Sequence, residues 1–131
     1  SHRLTNIPGS SDYYLEGAVV YSNEAKIRQL SVPEEKITRY GAVSKEVAAS
    51  MAKGIVQKSG ADFGLAVTGI AGPGGGTSDK PVGLVFIGLA WHDGVSMTKN
   101  IFLGQRDLVK FQSSQKALDM LRHFLLSNRK K

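Results

Sequence analysis

AVTGIAGPGGG, residues 66–76, closes an apolar run with a hydroxyl and passes at once into glycine. The run at 63–68 has the length and continuity of a buried strand, and Thr68 ends it. The glycines that follow let the backbone take positive φ and come close to a ligand, so that N–H groups converge on an anion. Ligands commonly sit beyond the carboxyl ends of strands in open α/β sheets. The stretch is not a Walker A loop, since no Gly-Lys-Ser/Thr stands at the required spacing, and Gly-x-Gly-x-x-Gly cannot be laid on it either. A flexible connection is the competing reading. A hydroxyl at the strand end favours a site.

Working outward, 83–91 and 96–103 are strand-like and flank His92, Asp93 and Gly94. Asp-Gly between two such runs signals a hairpin. From Asp107 a last helix carries Leu108, Phe111, Leu118, Leu121 and Leu125 on one face. Upstream, Ser44 caps a helix whose apolar residues Val47, Ala48, Met51, Ala52, Ile55 and Val56 recur at helical spacing, and Gly60 ends it. Pro33 opens a short helix reaching Tyr40, and Asn23 caps another at 24–30. Residues 14–21 read as a strand, while 1–4 read as the end of a helix already under way, stopped by the turn at 8–11. The order predicts an α/β domain: a mixed sheet of four or more strands with helices packed on it. The runs 63–68 and 83–91 are its expected central strands, being the most continuously apolar.

The chain has 131 residues and no cysteine, which predicts one domain spanning 1–131, with no disulfide framework and no thiolate site for zinc. A reducing compartment is allowed, and a cytoplasmic location is expected. The longest apolar stretch, 82–91, is interrupted by Gly83 and Gly88 and is too short to span a bilayer. No segment has the layout of a signal peptide. A net charge of +6 raises the prior for anionic partners. The basic residues are scattered, however, and the one tight cluster, Arg129, Lys130 and Lys131, reads as a solvated tail. Neither a nucleic-acid nor a membrane partner is therefore expected.

Two further segments carry chemistry. YSNEAK, 21–26, puts a phenol at a strand end and an amine one turn into the next helix. A lysine serves as a general base only when burial or a cationic neighbour lowers its pKa, and an exposed helix lysine is the alternative. GQRD, 104–107, sets Arg106 at a helix start, suited to phosphate or carboxylate by its fork geometry and the helix dipole, though an ordinary surface arginine reads the same way. His2, His92 and His123 are widely spaced, so no metal site and no Ser-His-Asp arrangement is assigned to them.

Taken together, HRLTNIPGSS at 2–11, GAVVYSNEAK at 17–26, GAVSKEVA at 41–48, LAVTGIAGPGGG at 65–76 and KPVG at 80–83, continuing through Arg106, resemble the CinA C-terminal family. These are nicotinamide-mononucleotide amidases linked by name to competence and damage induction. The likeness covers nearly the whole chain and is weakest after Leu108. It implies hydrolysis of the amide of nicotinamide mononucleotide to nicotinate mononucleotide and ammonia, with no cofactor and no metal. The family's nucleophilic serine lies in a Glu-Ser-Cys-Thr-Gly-Gly motif at the start of its first helix. That motif is absent here; the resemblance implies a domain lacking its first strand and the start of that helix, with the nucleophile upstream of this chain. By the same resemblance, Lys26 matches the base that activates the serine, and Tyr21 and Thr68 match supporting hydrogen-bonding groups. Arg106 matches the phosphate anchor, and Gly69, Gly72 and Gly74 are expected to complete an anion-accepting pocket.

The alternatives are a non-catalytic nucleotide- or partner-binding module that keeps the pocket without the nucleophile, and, less favoured by the scattered charge, a nucleic-acid-binding domain. The expected partner is a phosphorylated pyridine nucleotide. A homo-oligomer is also expected, because a chain beginning in mid-helix leaves apolar surface for a neighbour.

Overall fold

The structure is a computed structural model, and it describes residues 1–128. The basic end of the chain lies outside the described residues. Five helices and three strands run in the order α1 (His2–Thr5), α2 (Asn23–Leu30), α3 (Glu34–Tyr40), α4 (Lys45–Ser59), β1 (Phe63–Gly69), β2 (Leu84–Trp91), β3 (Gly94–Ile101) and α5 (Arg106–Asn128), with a 3₁₀ turn at Ser10–Asp12. Among the described residues no helix is long and apolar enough to cross a membrane.

The sheet is ordered β1-β2-β3 and is antiparallel throughout. Phe63 pairs with Trp91 and Gly69 with Val85; the tight turn at His92 and Asp93 then returns β3 so that Trp91 pairs with Gly94. Side chains alternate across a strand, and the two faces divide accordingly. Ala66 and Ala90 join Val47, Met51 and Ala52 of α4 in one apolar cluster, with Val20, Leu30, Val32 and Ile37 from the first helices and the segments beside them. Val85 and Ile87 join Val109 and Ala117 of α5 in a second.

The helix boundaries follow local chemistry. Ser44 accepts from the Val47 N–H at 3.3 Å and starts α4, and Gly60, at φ 71°, ends it. At α2 the cap is Ser22 rather than the expected Asn23: the Ser22 hydroxyl accepts from the Ala25 N–H at 3.0 Å. Deep in α4, Gly54 meets the backbone of Leu30, so the end of α2 rests directly on α4.

Four expectations need correction. The sheet has three strands, all antiparallel, not four or more in a mixed arrangement. Residues 14–21 form no strand among the described residues. Residues 17–21 are extended and alternate in burial, with Val20 buried and Val19 86% exposed, but no strand lies alongside to make a ladder. β2 is central, whereas β1 is an edge, for want of that same neighbour. Finally, α5 buries Val109, Ser113 and Ala117, and leaves Leu108, Phe111 and Leu125 exposed. Against Val85 and Ile87 the helix sets Val109, Ser113 and Ala117 at i, i+4 spacing, and further along Met120 packs beside that cluster and Phe124 meets the rings of Phe63 and Trp91.

Candidate active site

Lys26 is the most unusual side chain in the molecule. It stands in the first turn of α2, 7% exposed, and its Nζ donates to the carbonyls of Val20 at 3.1 Å and Tyr21 at 3.4 Å. Those carbonyls belong to the extended segment with no ladder partner, so the lysine supplies hydrogen bonds that a neighbouring strand would otherwise give. No carboxylate pairs with it among the described residues. Burial holds its pKa below the ordinary lysine value, against a weaker opposing pull from the Glu24 carboxylate. The Glu24 carboxyl itself is held below its ordinary value, first by its own backbone N–H and then by the Ser22 hydroxyl. A buried amine whose pKa lies below the ordinary lysine value is shifted in the direction a general base requires.

Tyr21 and Arg106 meet across the fold. The phenol accepts from one terminal nitrogen of Arg106 at 2.8 Å, and the other terminal nitrogen donates to the Gly72 carbonyl at 3.0 Å. One guanidinium thus ties the extended segment, the glycine loop and the start of α5 together. Gly72 has φ 81° and precedes a cis proline, a conformation that favours glycine. Lys80 fastens the far side of the loop, donating to the Tyr40 carbonyl at the end of α3 at 2.5 Å.

Thr68 is buried on the α4 side of β1 and donates to the Ala42 carbonyl at 2.8 Å. No hydrogen bond joins it to Lys26 or Tyr21 among the described residues. Its hydroxyl proton is committed to Ala42, which leaves its lone pairs for a donor. Gly69 packs against the backbone of β2, while Gly74 stands clear of other atoms. Of the residues expected at the site, Tyr21, Gly72 and Arg106 are therefore joined directly and Lys26 reaches the Tyr21 carbonyl. Thr68, Gly69 and Gly74 are not bonded to that group.

Beside Arg106 lies a hollow of ≈ 790 Å³, lined by Ala71, Pro73, Val82 and the first turns of α5, among them Lys110. Sequence reasoning missed Lys80 and Lys110. Lys110 was legible as a second cation four positions after Arg106, on the same helix face; Lys80 carried no local signal. No group of three or more histidine, aspartate or glutamate side chains gathers to hold a metal ion among the described residues.

Residues 1–125 match the family model described as the CinA C-terminal domain. A putative competence-damage inducible protein of Moorella thermoacetica is 54% identical over 121 residues, covering 92% of this chain and 29% of that protein. A CinA-like protein of Geotalea uraniireducens is 51% identical over 127 residues, covering 97% and 30%. The chain thus spans about three tenths of the length of the curated relatives it matches. Among solved structures, the competence/damage inducible protein CihA of Agrobacterium tumefaciens superposes with a TM-score of 0.90 at 41% identity, over 93% of this chain and 75% of that one. The competence damage-inducible protein A of Klebsiella pneumoniae gives 0.93 at 30% identity, over 98% and 80%.

Proposed function

We propose that this chain, which belongs to the CinA C-terminal domain family, forms most of the pocket of an amidohydrolase that converts nicotinamide mononucleotide and water to nicotinate mononucleotide and ammonia. The observation that carries the reading is Lys26: a buried amine with a lowered pKa, held by two carbonyls and paired with no acid among the described residues. In the neutral form it takes the proton of a serine hydroxyl as that oxygen adds to the carboxamide carbon. The C–N bond then breaks, and the proton returns from Lys26 to the departing nitrogen, which leaves as ammonia. Water, relieved of its proton by the same amine, cleaves the acyl-serine to give the carboxylate and restore the hydroxyl. Backbone N–H groups of the glycine loop and the Tyr21 phenol serve as donors to the developing negative charge and the substrate. Arg106, Gly69, Gly72 and Gly74 line the phosphate end.

The serine belongs to a segment preceding Ser1. Two features support that part of the proposal: residues 17–21 are extended without a ladder, and β1 has an open outer edge. A further strand completes both, and the helix that follows it brings the nucleophile to Lys26. The same reading includes a homo-oligomer joined through the exposed Leu108, Phe111, Leu125 and Leu126 of α5; sedimentation of a species heavier than 14.1 kDa is the expected result, and a strict monomer removes this part.

The deciding experiment measures ammonia and nicotinate mononucleotide from two proteins, this chain and a longer one carrying the preceding segment. The longer protein turns over, and its Lys26→Ala variant loses at least two to three orders of magnitude in rate. This chain alone releases no ammonia at an enzymatic rate. Turnover by this chain would mean that its own residues include the nucleophile, and an inert longer protein would end the amidohydrolase reading.

A further inference from the structure

Arg106 already has two obligations. One terminal nitrogen holds the Gly72 carbonyl and the other holds the Tyr21 phenol, at 3.0 and 2.8 Å. A guanidinium has five N–H donors in a rigid fork, so the two contacts fix the direction in which the remaining ones point. One helical turn on, Lys110 lines the same ≈ 790 Å³ hollow, is exposed, and has no salt bridge among the described residues. Positions four apart on a helix share a face, so both cations address one space. The carboxylate that also lines the hollow, Asp107, accepts from the Leu108 N–H at 2.9 Å and is turned back onto its own helix turn. The wall opposite, formed by Ala71, Pro73 and Val82, offers apolar surface and no competing acid.

We propose that Lys110 binds the phosphate of the substrate in this hollow and selects a nucleotide over its nucleoside, while Arg106 acts mainly as a positioning residue for the glycine loop and Tyr21. An ammonium on a flexible four-carbon stem suits that role, because it follows a phosphoryl group through several approaches, whereas the braced guanidinium does not. The site is open, so the contribution is that of a partly screened charge-assisted contact, about two- to fivefold in affinity. The identity of the substrate rests on the amidohydrolase reading. The preference for a phosphate monoester does not.

Calorimetry with ribose 5-phosphate, nicotinamide mononucleotide and nicotinamide riboside tests the inference on this chain, and steady-state kinetics test it on the longer protein. Lys110→Gln weakens both phosphates by about two- to fivefold and leaves the riboside unchanged, Lys110→Arg keeps most of the affinity, and added salt narrows the difference. Arg106→Lys lowers kcat more than it raises KM, as expected when a brace rather than an anchor is loosened. The inference is overturned if the unaltered chain binds neither phosphate. It is likewise overturned if Lys110→Gln binds both phosphates as before, or loses the riboside equally. Should ribose 5-phosphate bind through Lys110 while the longer protein releases no ammonia, the anchor stands and the amidohydrolase falls. Should ammonia be released with KM indifferent to Lys110→Gln, the anchor falls and the amidohydrolase stands.

Discussion

Replacing Gly54 with alanine tests how Lys26 is positioned. Alanine in mid-helix normally stabilises by about 1 kcal/mol relative to glycine. Here the added Cβ would fall onto the Leu30 carbonyl oxygen, within 2.8 Å of its carbon and 3.1 Å of its Cα, where ordinary contact starts near 3.4 Å. A side chain could rotate away. A backbone carbonyl at the end of a helix cannot, so α2 must retreat from α4 by more than an ångström. Overpacking of this kind costs about 3 kcal/mol at the upper end of its usual range, which leaves a net loss of about 2 kcal/mol after the propensity gain. For a domain of this size that lowers Tm by about 6–10 °C. Lys26 lies one turn before Leu30 on the same helix, so its bonds to Val20 and Tyr21 loosen with it. Thermal unfolding followed by circular dichroism reads the first effect, and kcat of the longer protein reads the second, falling at a temperature where the variant remains folded. A variant that melts at or above the parent would refute the packing argument, and one that melts low but keeps full kcat would detach Lys26 from it.

The lowered pKa of Lys26 gives stability a pH dependence of known sign. Between its folded value and the ordinary lysine value of 10.5 the unfolded chain binds more protons, so the burial penalty is complete below the folded pKa and is relieved as pH rises towards 10.5. Denaturant titrations should show that rise in the parent and its loss in Lys26→Met; identical slopes would contradict it. The activity of the longer protein should gain a rising limb at the same lowered pKa, seen in the pH profile of kcat/KM; a limb at the ordinary lysine value would exclude Lys26 as the base. Thr68→Val keeps the shape but strands the Ala42 carbonyl, at a cost of about 1–2 kcal/mol in urea unfolding. An unchanged midpoint would mean that water replaces the hydroxyl. Gly72→Ala adds a Cβ 2.5 Å from Val82 at a φ of 81°, and should weaken nucleotide binding by displacing the carbonyl that Arg106 holds; unaltered calorimetry would argue that the loop is not part of the site.

Local chemistry wrote much of this fold into the chain. The Ser44 cap and the Gly60 stop depend on residues within one turn of each other and form where the sequence places them; the expected hairpin also forms, but with its turn at His92 and Asp93 and β3 at Gly94–Ile101 rather than 96–103. The sheet was less legible because strand count depends on neighbours: 14–21 has the composition of a strand but no strand pairs with it among the described residues. The face of α5 misled for another reason. Its leucines mark an amphipathic stripe, yet the face that meets the sheet is the one carrying Val109, Ser113, Ala117 and Phe124. At the site, the motif around Lys26 announced an amine near a strand end. It could not announce that Arg106 turns to the Tyr21 phenol and the Gly72 carbonyl, contacts that only the tertiary fold creates.

The bond between Arg106 and Tyr21 joins positions 85 residues apart. A polypeptide emerges from the ribosome at about 5–20 residues per second, and its earlier segments fold before later ones exist. Tyr21 and the glycine loop are therefore made seconds before the residue that clasps one to the other. Closing so long a loop is entropically the slowest kind of contact, so this clasp belongs among the final events of maturation. A nascent or C-terminally clipped chain that ends before Arg106 lacks the contacts that fasten the glycine loop to the Tyr21 phenol.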